Sequence, residues 1–227
     1  MDLQVIYEDN HIIAVNKTCH DLVQGDDSGD VPLDWRIRDY LKEKYHKPGE
    51  VFLGVVHRLD RPVTGVVMFA RTSKALTRLT GMFREGSIKK TYWAIVKEKP
   101  PMDGARLQHH LVRDPKQNKS FSHDHPRPNS KPAALTYRIT GFSDRYFLLA
   151  IDLETGRHHQ IRSQLSRIGC PVKGDLKYGF PRSNPDGGIS LHARKLQFIH
   201  PVSKMPVEIA ADPPLSEKLW GSFAPYP

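Results

Sequence analysis

The sequence predicts an α+β fold, with a mixed, mostly antiparallel central sheet flanked by helices and loops. Three observations carry this. Many short β-rich runs are interrupted by only a few stretches of helical period. Regular β-α-β units are too few for a doubly wound parallel sheet. The 227 residues are 38% hydrophobic and 26% charged, an ordinary globular balance with length enough for a real core.

The elements follow in chain order. "LQVIYEDNHIIAVNK" reads as two short strands around a turn at Asp9-Asn10. "DVPLDWRIRDYLKEKY" sets Leu33, Ile37, Tyr40 and Leu41 on one helical face, and Pro48-Gly49 breaks the chain after it. Residues 51–57 and 65–70 are apolar and β-rich, so two strands are expected, with the turn Arg-Leu-Asp-Arg-Pro between them. "TSKALTRLTGMFREG" is a helix capped by Thr72 or Ser73, with Leu76, Leu79 and Phe83 on one face and Gly86 at its end. "IKKTYWAIVK" alternates as a strand. Residues 98–132, rich in proline, histidine and basic residues, read as a hairpin with a long basic loop over 113–132. Its His109, His110, His123 and His125 lack a metal-ligand spacing and read as solvated loop residues. "AALTYRIT" and "YFLLAIDLET" are strands. "HHQIRSQLSRIG" is a helix with Ile161, Leu165 and Ile168 aligned and Gly169 as its stop. "ISLHARKLQFIH" and "MPVEIAA" form a closing hairpin.

Composition narrows the function. Lys and Arg exceed Asp and Glu by 34 to 25, a net charge of +9 that favours a polyanionic partner, nucleic acid before membrane. Cys19 and Cys170 form no C-x-x-C pair, so a thiolate zinc site is not indicated, and a reducing cytoplasm fits. Neither a secretory signal nor an 18-residue apolar stretch is present. Phosphate-cradling glycine loops and H-E-x-x-H are absent too, so neither a nucleotide cofactor nor a metal is expected.

One stretch stands out. In "VVHRLDRPVTGVVMFAR", residues 55–71, the carboxylate of Asp60 lies between Arg58 and Arg61 and is bracketed by apolar runs. Burying a charge is costly unless it is paired. Arginines beside a carboxylate favour its ionised form, which is a poor general acid but a usable nucleophile at carbon. By itself the segment fits either a structural turn ion pair or a reactive acid. A glycosidase would need a second carboxylate, and Glu154 and Asp175 are the candidates.

The segment also resembles the H-R-L-D-x-x-T-S-G motif of the RluA-type pseudouridine synthases, matching at His57, Arg58, Leu59, Asp60 and Gly65. "LETGRHHQIRSQLSRIGCPVKGDLKYG", residues 153–179, is similar to the family's L-x-T-G-R-x-H-Q-I-R block and its downstream G-x-P-x-x-G-D-x-x-Y-G. "KKTYWAIV" and "LHARKLQFIHP" match two further segments, all in family order and over nearly the whole chain. The resemblance implies a pseudouridine synthase catalytic fold over residues 1–227, without a separate N-terminal RNA-binding domain. It implies isomerisation of uridines in structured RNA, transfer or ribosomal, with no cofactor. Asp60 would be the nucleophile, attacking at ribose C1′ or base C6. Tyr92 would stack on the uracil near C5, Arg162 would pair with Asp60, Leu191 would pack against the base, and Arg58 would enter the RNA stack. His159 is expected in a structural hydrogen bond. A cytoplasmic monomer is expected.

Departures from the pattern are local. The family's K-P-x-G appears as "NKTCHDLVQG", which touches the RNA-facing rim. T-S-G becomes Val63-Thr64-Gly65, and a small hydroxyl residue becomes His158. The alternative is a catalytically silent RNA-binding or chaperone protein of the same fold.

Overall fold

Strands β2 (Ile12–Lys17) and β4 (Thr64–Ala70) explain why these runs read as continuously apolar rather than alternating. Ile12, Ala14, Val66, Met68 and Ala70 face one cluster, while Ile13, Val15, Val67 and Phe69 face another. A strand covered on both faces has no polar side to show. The computed structural model describes residues 3–25, 29–214 and 217–224. It divides into two units, Met1–Ile88 with Ala193–Asp212, and Lys89–His192 with Pro213–Pro227.

In the first unit the strand order is β1 (Val5–Glu8), β2, β4 and β10 (Leu191–Ile199), the last belonging to this unit from Ala193 onward. β3 (Gly54–Val55) pairs with β4, and β11 (Pro206–Ala210) pairs with β10, both antiparallel. Helix α1 (Leu33–Lys44) packs Leu33, Ile37 and Leu41 onto one face of this sheet. Helix α2 (Ser73–Glu85) packs Ala75, Leu79 and the partly buried Leu76, Met82 and Phe83 onto the other. Thr72 is the N-cap, its side chain accepting from the Ala75 amide at 3.1 Å. Gly86 ends the helix with φ 73°, a left-handed conformation that favours glycine.

The second unit has strand order β5 (Lys89–Val96), β9 (Tyr146–Leu153), β8 (Lys131–Ser143), β6 (Gly104–Asp114) and β7 (Lys119–His123), all antiparallel. Trp93, Ile95, Leu148 and Ala150 pack against Trp220 and Phe223 of the C-terminal segment, which holds the short α4 (Lys218–Gly221). Helix α3 (Gln160–Arg167) packs on β6 and β7.

The sequence expectations need three corrections. The strand expected over 51–57 is reduced to Gly54–Val55, because Val51 and Leu53 are buried in the core without a partner strand, and the Leu53 carbonyl accepts from Arg38 instead. The long basic loop expected over 113–132 is interrupted by strand β7. Asp114 accepts from the Lys116 and Gln117 amides, Asn118 takes φ 45°, and this tight turn delivers the chain straight into β7. His109 and His123 therefore lie on strands, and His109 is buried against Gln164 of α3 rather than solvated. The helix expected from His158 begins two residues later, because His159 sits at φ 52°.

Candidate active site

Asp60 heads a turn. The Val63 amide donates to the Asp60 carbonyl at 3.0 Å, closing Asp60-Arg61-Pro62-Val63. Lys17 fixes this turn from below. It is 1% exposed, and its ammonium donates to the carbonyls of Arg61, Val63 and Thr18, each at 2.8 Å. All three of its protons thus have main-chain acceptors, two of them within three residues of Asp60. Burial pushes the Lys17 ammonium down to about 8, although Asp21, Cys19 and Asp60 oppose this. Asp60 itself is half-buried, while Arg58 and Arg61 are exposed. Arg61 reaches outward to Asp30 at 2.6 Å.

The flanks of the turn are equally determined. Gly54 and Val55 pair with Ala70 and Phe69. The next amide on β4, that of Met68, donates to His57 Nε2 at 3.0 Å, so the imidazole continues the ladder where β3 ends. The same ring stacks on Phe83, with centroids 4.6 Å apart. Gly65 has φ 112°, and a Cβ there would lie 2.3 Å from the Ala193 carbonyl oxygen. Only glycine lets β4 lie this close to β10.

The second unit holds Tyr92, Arg162 and Leu191. Tyr92 is half-buried on β5, opposite Ile151 of β9. Leu191 is 3% exposed at the start of β10. Arg162, 5% exposed on α3, is gripped by Asp175 in a two-pronged bond, Nε to Oδ2 at 2.6 Å and Nη2 to Oδ1 at 2.9 Å. Asp175 is 1% exposed. Planar bidentate pairs of this kind are the strong ones. The guanidinium also lies 5.0 Å from the centre of the Tyr178 ring.

Tyr178 organises what surrounds it. Its hydroxyl accepts from the Ser120 amide at 2.8 Å, lies 3.1 Å from the Ser120 carbonyl and 3.0 Å from His159 Nδ1. His159 is buried, as expected of a structural histidine, and it stacks on His158 at 3.8 Å. His158 bonds Ser120 Oγ and Asn118. The "TGRHHQIR" loop is tied by Gln160, whose Oε1 accepts from Thr155 Oγ1 and the Arg157 amide while Nε2 donates to the Ala134 carbonyl.

Each unit therefore gathers part of the expected set, Asp60 and Arg58 in the first, Tyr92, Arg162 and Leu191 in the second. Sequence reading missed Lys17 and Tyr178, and named Asp175 only as a possible second acid. The signal was present: both Asp175 and Tyr178 are fixed letters of the G-D-x-x-Y-G pattern. The glycosidase alternative loses ground, because Asp175 is locked to Arg162 and Glu154 is held on the surface by Arg106 at 2.8 Å. That hydrogen bond from Arg106 lowers the Glu154 pKa, the wrong direction for a proton-donating acid.

Comparison with known proteins agrees with the motifs. Residues 11–167 match the family described as RNA pseudouridylate synthase. The chain is 31% identical to tRNA pseudouridine synthase C of Pectobacterium carotovorum subsp. carotovorum over 92% of its own length and 58% of the relative's. It is 32% identical to ribosomal large subunit pseudouridine synthase C of Vibrio cholerae serotype O1, over 91% of this chain and 64% of that one. Against tRNA pseudouridine synthase C of Salmonella typhimurium the identity is 32%, covering 92% and 85%. The chain thus spans 58% and 64% of the first two of these relatives. Among solved structures, human RNA pseudouridylate synthase domain containing 4 superposes with a TM-score of 0.77 at 22% identity, over 93% of this chain and 88% of that one. At that identity the likeness speaks for the fold. With more than half of its length inside the family match, the chain belongs to the RNA pseudouridylate synthase family, the RluA-type family its motifs resemble.

Proposed function

We propose that this protein isomerises specific uridines to pseudouridine in structured transfer or ribosomal RNA, with Asp60 as nucleophile. The observation that carries the reading is the family match over residues 11–167, a stretch that contains Asp60, Tyr92 and Arg162 in their motifs. The names of the relatives, which specify tRNA and the large ribosomal subunit, support the RNA class. The net charge of +9 suits a phosphate backbone.

In this reading the Asp60 carboxylate bonds to the target uridine at C1′ or C6. The N1–C1′ bond breaks, the base turns, C5 bonds to C1′, and the bond to Asp60 breaks, which returns the free carboxylate. The C5 proton leaves and N1 takes one up, so no oxidant, group donor or cofactor is needed. Tyr92 stacks on the uracil near C5. Leu191 packs against the base, and Arg58 enters the RNA stack that the uridine has left. Unstacking the uridine costs a few kcal/mol. Stacking on Tyr92 returns about 1–3 kcal/mol, and phosphate contacts supply the rest. A guanidinium has five N–H donors, so the Asp175 fork is compatible with a further bond from Arg162 to Asp60. The protein acts in the cytoplasm as a monomer; among the described residues no helix is long and apolar enough to cross a membrane.

The test uses purified protein and RNA carrying tritium at uridine C5, released only when C5 forms its new bond. Wild type releases tritium. Asp60→Asn lowers release at least about 10³-fold with RNA affinity and melting temperature unchanged. Substantial turnover by Asp60→Asn removes the nucleophile assignment. RNA binding by wild type without any release favours the silent RNA-binding alternative.

A further inference from the structure

Beside the Asp60 turn, within the first unit, lies a cleft of about 420 Å³ lined by Gln24, Asp34, Arg38, Leu53, His57 and Arg58, among others. Its size is that of a small-ligand site. Its floor holds an unusual group. Asp34, on the first turn of α1, is 6% exposed. Its Oδ2 faces Arg38 Nη1 at 3.3 Å. Its Oδ1 is buried and accepts no hydrogen bond among the described residues. A buried carboxylate oxygen without a donor is costly, and such groups are completed by a ligand, a partner or ordered water.

We propose that this cleft receives a guanine nucleotide of the RNA next to the target uridine, a reading that rests on the function proposed above. The base is chosen by the chemistry of its edges. An ionised carboxylate accepts only, at two parallel oxygens. Guanine alone among the four bases presents two adjacent donors, N1–H and N2–H, on one edge. Adenine and cytosine set an acceptor beside their amino group, and uracil sets carbonyls on both sides of its single N–H. Arg38 serves the phosphate. Arg38, whose side chain is 36% exposed, holds Asp34 and the Leu53 carbonyl by contacts of 3.3 Å each, and exchanging them for a phosphate oxygen opens the carboxylate to the base. Arg58, exposed and two residues from Asp60, lines the same cleft, so a nucleotide seated there lies beside the residue that the proposed function sets into the RNA stack.

The experiment titrates the whole chain with guanosine, inosine and adenosine 5′-monophosphates, followed by amide NMR shifts. Inosine lacks only the N2 amine. The expected result is shifts around Asp34 and Arg38, and binding of the guanosine nucleotide about tenfold tighter than of the other two. Asp34→Asn, checked for folding by its melting curve, loses that preference, while Asp60→Asn keeps it. Equal binding of all three nucleotides by wild type overturns the proposal even where Asp34→Asn does not fold, and so does an undiminished guanosine preference in folded Asp34→Asn. Either result leaves tritium release by wild type untouched, so failure of the cleft is distinguishable from failure of the enzymatic reading.

Discussion

The Asp60 turn and the Arg162 cluster are built around different kinds of contact. At Asp60 the protein holds main chain. Lys17 spends its three donors on carbonyls, His57 takes an amide of β4, and Asp60 stands half-exposed at the head of the turn. At Arg162 it holds side chain. The guanidinium is buried, forked by Asp175 and laid against Tyr178, which is itself locked to Ser120 and His159. On the proposed assignment Asp60 is the nucleophile, and these contacts aim it through its backbone. On the same assignment Arg162 is a stationary cation, and the Asp175 fork holds it by its own atoms.

Breaking the Arg162 side should have the larger structural effect. Arg162→Met removes the fork and strands Asp175 at 1% exposure, which destabilises the fold by about 3–5 kcal/mol. Turnover should fall about 10³-fold. Arg162→Lys recovers part of both, because it keeps the charge and loses the two-pronged fit. Combining Arg162→Met with Asp175→Leu separates the roles: melting temperature recovers and turnover does not. Recovery of activity in that double variant contradicts a catalytic role for Arg162.

Tyr92→Phe comes next. The ring remains for stacking, so RNA affinity should hold, while turnover falls about 10²-fold through loss of the hydroxyl near C5. Tyr92→Leu should weaken both. Wild-type turnover in the Phe variant would reduce Tyr92 to a stacking platform.

Lys17 gives the smallest effect and the sharpest signature. Lys17→Met leaves buried carbonyls unpaired, for about 1–3 kcal/mol of stability and about a tenfold loss of turnover. Its pH dependence has a definite sign. Folded Lys17 releases its proton near 8, against an ordinary value of 10.5. Between those values the unfolded chain binds more protons, so this group's contribution to stability rises with pH there and is flat below. The neutral amine has two N–H donors for three carbonyls, so the turn loosens over the same window. Turnover should therefore fall above about pH 8 without a matching loss of stability from this group. Lys17→Arg keeps its charge and should lack that inflection. A profile for Lys17→Arg that matches wild type throughout would assign the pH effect elsewhere.

What the sequence disclosed follows from the range of the interactions. Helix α2 was legible to its ends, because Thr72 and Gly86 act on their own neighbours. The buried strand β4 was legible because both of its faces are apolar. The strand over 51–57 is shorter than its apolar run, since apolar residues in extended chain need not find a partner strand, and the Leu53 carbonyl accepts from Arg38. The hairpin at 104–123 is obscured by its basic and histidine content, although Asp114 and Asn118 are ordinary turn residues. At the site, Asp60 was visible because its motif is contiguous. Lys17 acts across 44 and 46 residues on backbone atoms, which no side-chain pattern reports. Asp175 lies 13 residues from Arg162 and was visible as a motif letter but not as a partner.

The most direct test of the central claim is a map of pseudouridines in transfer and ribosomal RNA from cells that lack this protein, restored with either the wild-type chain or Asp60→Asn. One or more sites should vanish on deletion, return with wild type and stay absent with Asp60→Asn expressed at the same level. An unchanged map on deletion, or full restoration by Asp60→Asn, would contradict the claim.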